Sequence, residues 1–321
     1  RDRASSARVH GMNNLSPRAG DALATRLPRG KYLTPRGSGT PHGVAVLGDT
    51  IYFVEGTTLY SSTGSGVATE VGAVADTDKE FAVFGNFLLI LPDRLYVDGE
   101  GGPLRVMRAG TGTLEGIVFS GNTITLPSSS KTWVGHGFRA GDGIQVLAST
   151  TSGVNPTGIY RIAAVMGRMA TMDTTWEEGM TITGSISCII PELKHITVLG
   201  QRAFGISDKQ MYVSAVGTPF NWYAPTPDTA DAPVTFRCDA GGNFTACTSW
   251  QGYPIFFKSD RICRLAGGDS DSYSLLEMTV PGIPASLSRT LCTIGGDLYY
   301  RSADGVYRYG GQHPVRVGTL P

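Results

Sequence analysis

The sequence predicts an all-β protein: a β-propeller of five or six blades with an inserted small β-barrel domain. Three observations predict this fold. A hairpin phrase recurs five times, and most copies are about 37 to 52 residues apart, a spacing typical of four-stranded blades. The interval from Gly85 to Gly200 is longer by about one small domain. No segment keeps an apolar helical period over three turns, so little helix is expected.

Each copy of the hairpin phrase begins near a glycine, runs as a short apolar strand, turns at a polar pair and returns as a second strand. Gly takes positive φ, and Asp or Ser bonds its own backbone, so the pairs suit tight turns. We expect the glycine-initiated strands near the propeller axis; a β-sandwich with similar hairpins is the alternative architecture. The glycines are Gly48, Gly85, Gly200, Gly252 and Gly295, and the turn pairs begin at Glu55, Pro92, Ser207, Ser259 and Asp304.

The chain divides into four predicted parts. An N-terminal basic arm covers residues 1–36, and the first part of the propeller covers 37–111. The inserted small β-barrel covers 112–193, and the second part of the propeller covers 194–321. A sixth blade is expected if the N-terminal segment closes the ring.

The insertion contains short strand candidates separated by glycine turns. Five or six strands in roughly 80 residues favour a closed barrel, which has no free sheet edge and is therefore expected to be stable alone. The candidates are Gly116–Phe119, Thr123–Leu126, Gly143–Leu147, Gly158–Val165 and Arg168–Met172.

Two tryptophans and a histidine in the insertion have two interpretations. On exposed turns, Trp133, His136 and Trp176 would form a sugar-binding platform. Alternatively, the indoles fill the core of the barrel.

The charges are unevenly distributed. The whole chain has 27 basic and 27 acidic side chains, but residues 1–36 contain seven Arg and one Lys against Asp2 and Asp21. A basic arm on an acidic body indicates docking on a neighbouring subunit or on nucleic acid, or simply a solvated terminus. No apolar run approaches the ~18 residues of a membrane helix.

The sequence contains no motif of a known catalytic or metal site. The nucleophile elbow, the zinc-protease motif and the phosphate-binding loop are absent. The five cysteines form no CxxC pair and have no nearby His, so buried reduced thiols are expected, without zinc. The nearest approach to a sialidase Asp box, Ser302–Tyr307, is interpreted as a hairpin turn. We therefore expect no enzyme activity, cofactor or metal; a propeller glycosidase, with two carboxylates about 5 to 9.5 Å apart, is a third alternative.

Three phrases resemble virion structural proteins of tailed bacteriophages. They are GMNNLSPRAGDAL near the N-terminus, the strand pair with a Gly-x-Pro-x-x-Trp corner at Gln201–Tyr223, and the final hairpin at Leu298–Gly318. The insertion is similar to small barrels of phage proteins in which a GF-x-x-GD phrase precedes a strand, here Gly137–Asp142.

The resemblance implies a structural component of a phage tail: a nozzle, hub or tube-associated protein that forms a ring around the DNA channel. Its partners would be copies of itself, with six-fold symmetry as one option, and other tail or adaptor proteins. DNA would pass without specific binding, and the protein would be located in the virion after synthesis in the host cytoplasm. Arg18, Arg26, Arg29 and Arg36 would dock on the next subunit. The alternative function is a carbohydrate-binding adhesin that uses the two tryptophans and the histidine of the insertion.

Overall fold

The protein is almost entirely β-structure in the part of the chain that can be described. The described residues include two short 3-10 helices, Val134–His136 and Ala285–Thr290, and neither is long and apolar enough to cross a membrane. The computed structural model describes residues 15–19, 22–25, 39–64, 67–107, 109–151, 155–223, 231–268 and 272–319.

Five four-stranded antiparallel sheets, called blades 1 to 5, each follow the order of the sequence. Blade 1 contains β3 (Pro41–Leu47), β4 (Thr50–Glu55), β5 (Thr58–Ser62) and β6 (Thr69–Ala73). Blade 2 contains β7 (Glu80–Phe84), β8 (Phe87–Leu91), β9 (Leu95–Asp98) and β10 (Leu104–Val106). Blade 3 contains β15 (His195–Leu199), β16 (Arg202–Ser207), β17 (Gln210–Val213) and β18 (Val234–Arg237).

The last two blades complete the second part of the propeller. Blade 4 contains β19 (Ala246–Trp250), β20 (Tyr253–Phe257), β21 (Arg261–Ala266) and β22 (Ser274–Thr279). Blade 5 contains β23 (Cys292–Ile294), β24 (Asp297–Arg301), β25 (Gly305–Tyr309) and β26 (Val315–Thr319). A separate hairpin, β1 (Leu15–Ala19) and β2 (Ala22–Thr25), precedes blade 1.

The first strand of each blade lies on the inside of the propeller. β7 contacts β3 on one side and β15 on the other, and β15 contacts β19. A central pocket of about 580 Å³ is lined by β3, β7, β19 and β23. This radial arrangement and the inserted barrel confirm the predicted fold class.

The five repeated glycines all adopt the left-handed conformation, with φ between 55° and 80°. Each lies in the turn between the first and second strands of its blade, where a residue with a Cβ atom would be strained. The glycine-initiated strands, predicted to lie near the axis, are the second strands of their blades, and the first strands lie inside them. The five predicted turn pairs do lie in or beside the turn that follows the second strand.

The insertion has fewer and longer strands than the sequence predicts. It contains β11 (Gly110–Thr125), β12 (Gly143–Thr151), β13 (Gly158–Met166) and β14 (Met169–Cys188). β13 pairs with both β12 and β14, which closes the sheet into a small barrel. Two predicted strands merge into β11, because irregularities in pairing near Gly116 and Gly121 let one strand bend and continue.

Hydrophobic clusters fill the seams between blades. Separate clusters join blades 1 and 2, blades 3 and 4, and blades 4 and 5. A fourth cluster combines Leu89 of blade 2, Ile196 of blade 3 and the barrel interior, including Ile144 and Ile186. The barrel therefore shares its core with the propeller, and the expectation that the insertion is stable by itself stays a prediction.

Candidate functional site at the barrel seam

A cavity of about 720 Å³ opens between the barrel and blade 2. We call this cavity the seam groove. Blade 2 supplies β9, β10 and the chain leading into β11, and the barrel supplies the 3-10 helix, the turn that precedes β12 and the end of β14. Its lining includes Tyr96, Asp98, Arg105, Val106, Val134, His136, Phe138, Arg139, Asp142, Cys188 and Phe220.

Two exposed valines lie among the polar side chains that line the seam groove. Val106 is 64% exposed and Val134 is 66% exposed, and Arg105 beside them is also exposed. Val106 ends β10, the outermost strand of blade 2, whose outer edge pairs with no other described strand. A short, open strand edge beside apolar side chains is suited to binding an added chain segment.

The aromatic side of the groove is formed by Phe220, which belongs to the long connection between β17 and β18 of blade 3. Its ring centroid lies 4.7 Å from that of Tyr96 and 5.1 Å from that of Phe87, both in blade 2. The Arg139 guanidinium of the barrel lies 5.8 Å from the same ring. One side chain from blade 3 therefore contacts both blade 2 and the barrel.

Asn221 and Trp222 fix this connection, which we call the corner loop (Gly217–Tyr223). Asn221 is buried; its Nδ2 donates to the carbonyl oxygen of Gly141 in the barrel, and its Oδ1 accepts from the Gly143 backbone N–H at 3.4 Å. The Trp222 indole N–H donates to Pro219 O at 2.7 Å, which closes the loop on itself. These bonds hold the corner loop, and with it blade 3, against the barrel.

Asp142 is a buried acid in the wall of the groove, within the GF-x-x-GD phrase. Its Oδ2 accepts from the Arg139 backbone N–H at 2.7 Å, and the Cys188 thiol donates to the same oxygen at 3.8 Å. Burial raises the pKa of Asp142 to about 6, although the Arg139 N–H bond and the Arg139 charge act to lower it. The groove therefore contains a carboxyl group that titrates near neutral pH.

Only one of the three candidate glycan contacts faces the groove. His136 lies in its lining, where its Nε2 is 2.8 Å from Ser130 Oγ. Trp133 is buried completely, and its indole N–H donates to Arg168 O at 3.0 Å. Trp176 is buried between Phe119 and Tyr160. The indoles therefore fill the barrel core and present no ring face for stacking on a sugar.

The side chains of the four arginines in the predicted docking arm are not described by the structure. Arg18 lies in β1, of which only the backbone is described, and Arg26, Arg29 and Arg36 lie outside the described residues. Their docking role stays a prediction.

Three separate sets of charged side chains lie near the axis, away from the seam groove. The buried Lys79 ammonium lies 3.0 Å from Asp93 Oδ2 and also donates to Ala75 O. His195 Nδ1 lies 2.5 Å from Glu80 Oε1, which connects the inner strands of blades 2 and 3. This second pair could not be predicted from the sequence, because His195 and Glu80 are far apart in the chain.

His42 forms the third axial group. Its ring nitrogens bond Asp76 at 2.6 Å and Asp78 at 3.1 Å. The hydrogen bond with Asp78 has the largest effect on the pKa of His42, and that with Asp76 the next largest; both raise it. Arg289, from the helix that precedes blade 5, lies 3.5 Å from Asp78 and donates to Lys79 O.

The cysteines are only partly as expected. Cys188, Cys238 and Cys263 are buried, but Cys247 is half-buried and Cys292, in the first strand of blade 5, is exposed. The sulfurs of Cys238 and Cys263 and a Glu277 oxygen lie within 4.8 Å of one another. Burial raises the pKa of Cys263 to about 12, and the Lys258 ammonium binds the adjacent Cys238 carbonyl. The protonated Cys263 thiol, with an ammonium group nearby, is a poor environment for a cation.

No protein-family model matches the chain, and no curated protein matches its sequence. Similar solved structures include the phage phi92 endosialidase, with 12% identity, a TM-score of 0.32, and coverage of 94% of this chain and 60% of that chain. AztD of Citrobacter koseri has 11% identity and a TM-score of 0.39, with coverage of 93% and 75%. PorZ of Porphyromonas gingivalis has 13% identity and a TM-score of 0.33, with coverage of 88% and 33%. The chain thus spans less than two thirds of two of these proteins, and likenesses this low carry no argument about function.

Proposed function

We propose that this β-rich module is a structural component of a bacteriophage tail that assembles into a ring around the DNA channel. In this role it is not an enzyme. Its partners are copies of itself and other tail proteins, and its location is the virion. The phrases at Gln201–Tyr223 and Leu298–Gly318 support the phage assignment through their resemblance to tail proteins.

The observation that carries the proposal is the seam groove beside the corner loop. Phe220 and Asn221 connect the barrel to two blades, so we expect the barrel and the propeller to behave as one rigid body. A stiff body is suited to transmitting force in a channel wall. The exposed Val106 and Val134 and the open edge of β10 give that body a surface on which a neighbouring chain can add a strand.

A closed ring requires head-to-tail contacts between two different surfaces of each copy. We assign the seam groove to one of these surfaces. The body outside residues 1–36 contains 19 basic and 25 acidic side chains, from 27 − 8 and 27 − 2. A net negative body binds phosphate weakly, which would let DNA slide through the ring.

The test is the assembly state of the full chain and of groove variants. The double variant Val106→Asp, Val134→Asp places charges on the two exposed valines of the groove. Met166→Asp is the control, since Met166 is 69% exposed but lies at the end of β13, outside the groove. Light scattering and electron microscopy should show closed rings for the wild type and the control, and subunits for the double variant.

Two results would contradict the proposal. One is ring assembly by the groove variant at the wild-type level. The other is a wild-type chain that remains a single copy and binds glycans through the groove at His136, which would support the adhesin alternative. Circular dichroism and thermal unfolding would show that the double variant is folded.

A further inference from the structure

The propeller has an open position between blade 5 and blade 1. Hydrophobic clusters occupy the other four seams, but none among the described residues joins blade 5 to blade 1. The described contact near this seam comes from Arg289, which precedes blade 5 and bonds the backbone at His42 and Lys79. We call the open position the slot.

Blade 1 presents an apolar sheet face to the slot. Val44 pairs with Phe53, Phe53 with Tyr60, and Val46 with Ile51, so these five side chains share one face. The opposite face carries Tyr52, Val54 and Leu59, which are buried against blade 2. On the slot face Val44 is 67% exposed and Val46 55% exposed, and the Phe53 and Tyr60 rings stack at 5.4 Å while only half-buried.

Blade 5 presents its own uncovered face. Leu298, Tyr300, Tyr307 and Tyr309 are buried against blade 4. The other face carries Cys292 and Val315, which pair with Tyr299 and Arg308; Val315 is 53% exposed and Cys292 is exposed. Both sheets beside the slot therefore have exposed apolar residues, and a further β-segment placed between them would bury these residues.

The path of the chain identifies that partner. Each blade starts at its inner strand and ends at its outer strand, and the outer strand leads to the inner strand of the next blade. The strand that leads into β3 should by the same rule be the outer strand of a blade in the slot. That strand is β2, and it is already paired antiparallel with β1, as the third and fourth strands of a blade are.

We propose that the β1–β2 hairpin of the same chain occupies the slot as the outer half of a sixth blade. There it covers the outer part of both faces, around Tyr60 on blade 1 and Val315 on blade 5. The connection through residues 26–40 is long enough, because shorter connections join the outer strands of blades 1, 3 and 4 to the inner strands of the blades that follow them. Its neighbour in sequence is blade 1, so the hairpin has a high effective concentration at the slot.

Thiol labelling tests the proposal. In a background with Cys292→Ser and Cys247→Ser, Val315→Cys places the one accessible thiol on the slot face of β26, since Cys188, Cys238 and Cys263 are buried. The full chain should label at least about tenfold more slowly than the same protein lacking residues 1–38, because the thiol reacts only when the hairpin opens. Ala24→Pro, which removes a backbone donor from β2 in the full chain, should label as fast as the truncated protein. Met166→Cys, on the barrel, is the control and should label equally in all three.

The outcomes are distinct. Equal labelling of the thiol introduced by Val315→Cys, with and without residues 1–38, would overturn the assignment of the hairpin to the slot. Protection that appears only at concentrations where light scattering detects oligomers would also overturn it, because the hairpin would then come from a second copy. Protection in a monomer, lost in Ala24→Pro, is the expected result.

Discussion

Replacing Asp142 with Asn should change how the stability of the protein depends on pH. Asp142 is buried in the wall of the seam groove, and its pKa is raised from 3.8 to about 6. An acid whose folded pKa is raised stabilises the fold fully below its unfolded pKa, and this contribution is lost as pH rises through the folded value. The relevant window is therefore pH 4 to 6.

The expected magnitude follows from the two pKa values. The difference between the unfolded and folded pKa of Asp142 corresponds to about 3 kcal/mol of unfolding free energy, which the wild type loses between about pH 4 and pH 7. Asp142→Asn has no charge to bury, and its side-chain oxygen can still accept from the Arg139 N–H. The stability of the variant relative to wild type should thus rise by about 3 kcal/mol from about pH 4 to pH 8.

Urea unfolding followed by tryptophan fluorescence, at several pH values, measures this difference. The comparison between pH values removes any constant cost of placing an amide next to Cys188. Asp98→Asn, at the groove but only half-buried, is the matched control for isosteric removal of a charge, and its relative stability should change less. A variant-minus-wild-type difference that does not change with pH would refute the claim that burial controls this carboxyl group.

Three further predictions concern the seam and the axis. Phe220→Ala should lower the free energy of unfolding, measured in urea, by about 2 kcal/mol, because a half-buried ring is lost. Tyr223→Ala removes an exposed ring and should change it by less than about 0.5 kcal/mol. Equal effects would show that Phe220 does not stabilise the contact between the barrel and the blades. Lys79→Met should lower the free energy of unfolding by about 3 kcal/mol, because the buried Asp93 carboxylate loses its ammonium partner. Adding Asp93→Asn should recover part of this loss, and additive losses in the double variant would contradict the pairing. His42→Gln should remove a contribution to stability that is complete below pH 6.5 and is lost as pH rises through the raised pKa of His42. The unfolding temperatures of variant and wild type should therefore converge at alkaline pH, and a difference that stays constant with pH would contradict this prediction.

The structure explains why the corner loop and the GF-x-x-GD phrase stand out in the sequence. Both look like local turn phrases, yet the two phrases contact each other across the seam: the Asn221 side chain of the first donates to the Gly141 carbonyl oxygen of the second. Sequence reasoning missed Tyr96 and Arg139, which complete the same contact, because nothing in their local pattern distinguishes them from strand or turn residues.

The blades could be predicted from short stretches of the sequence. Positive φ at Gly48 and its equivalents, polar turn pairs and alternating apolar strands are properties of a few adjacent residues, so they can be recognised without a structure. Other features depend on the tertiary structure: the continuous bent strand β11, the burial of Trp133 and Trp176, the pairing of His195 with Glu80, and the open slot beside blade 1. Each of these depends on which distant strands become neighbours. Burial and charge pairing follow from that choice, because they are fixed by packing across the seams rather than by the order of residues within a strand.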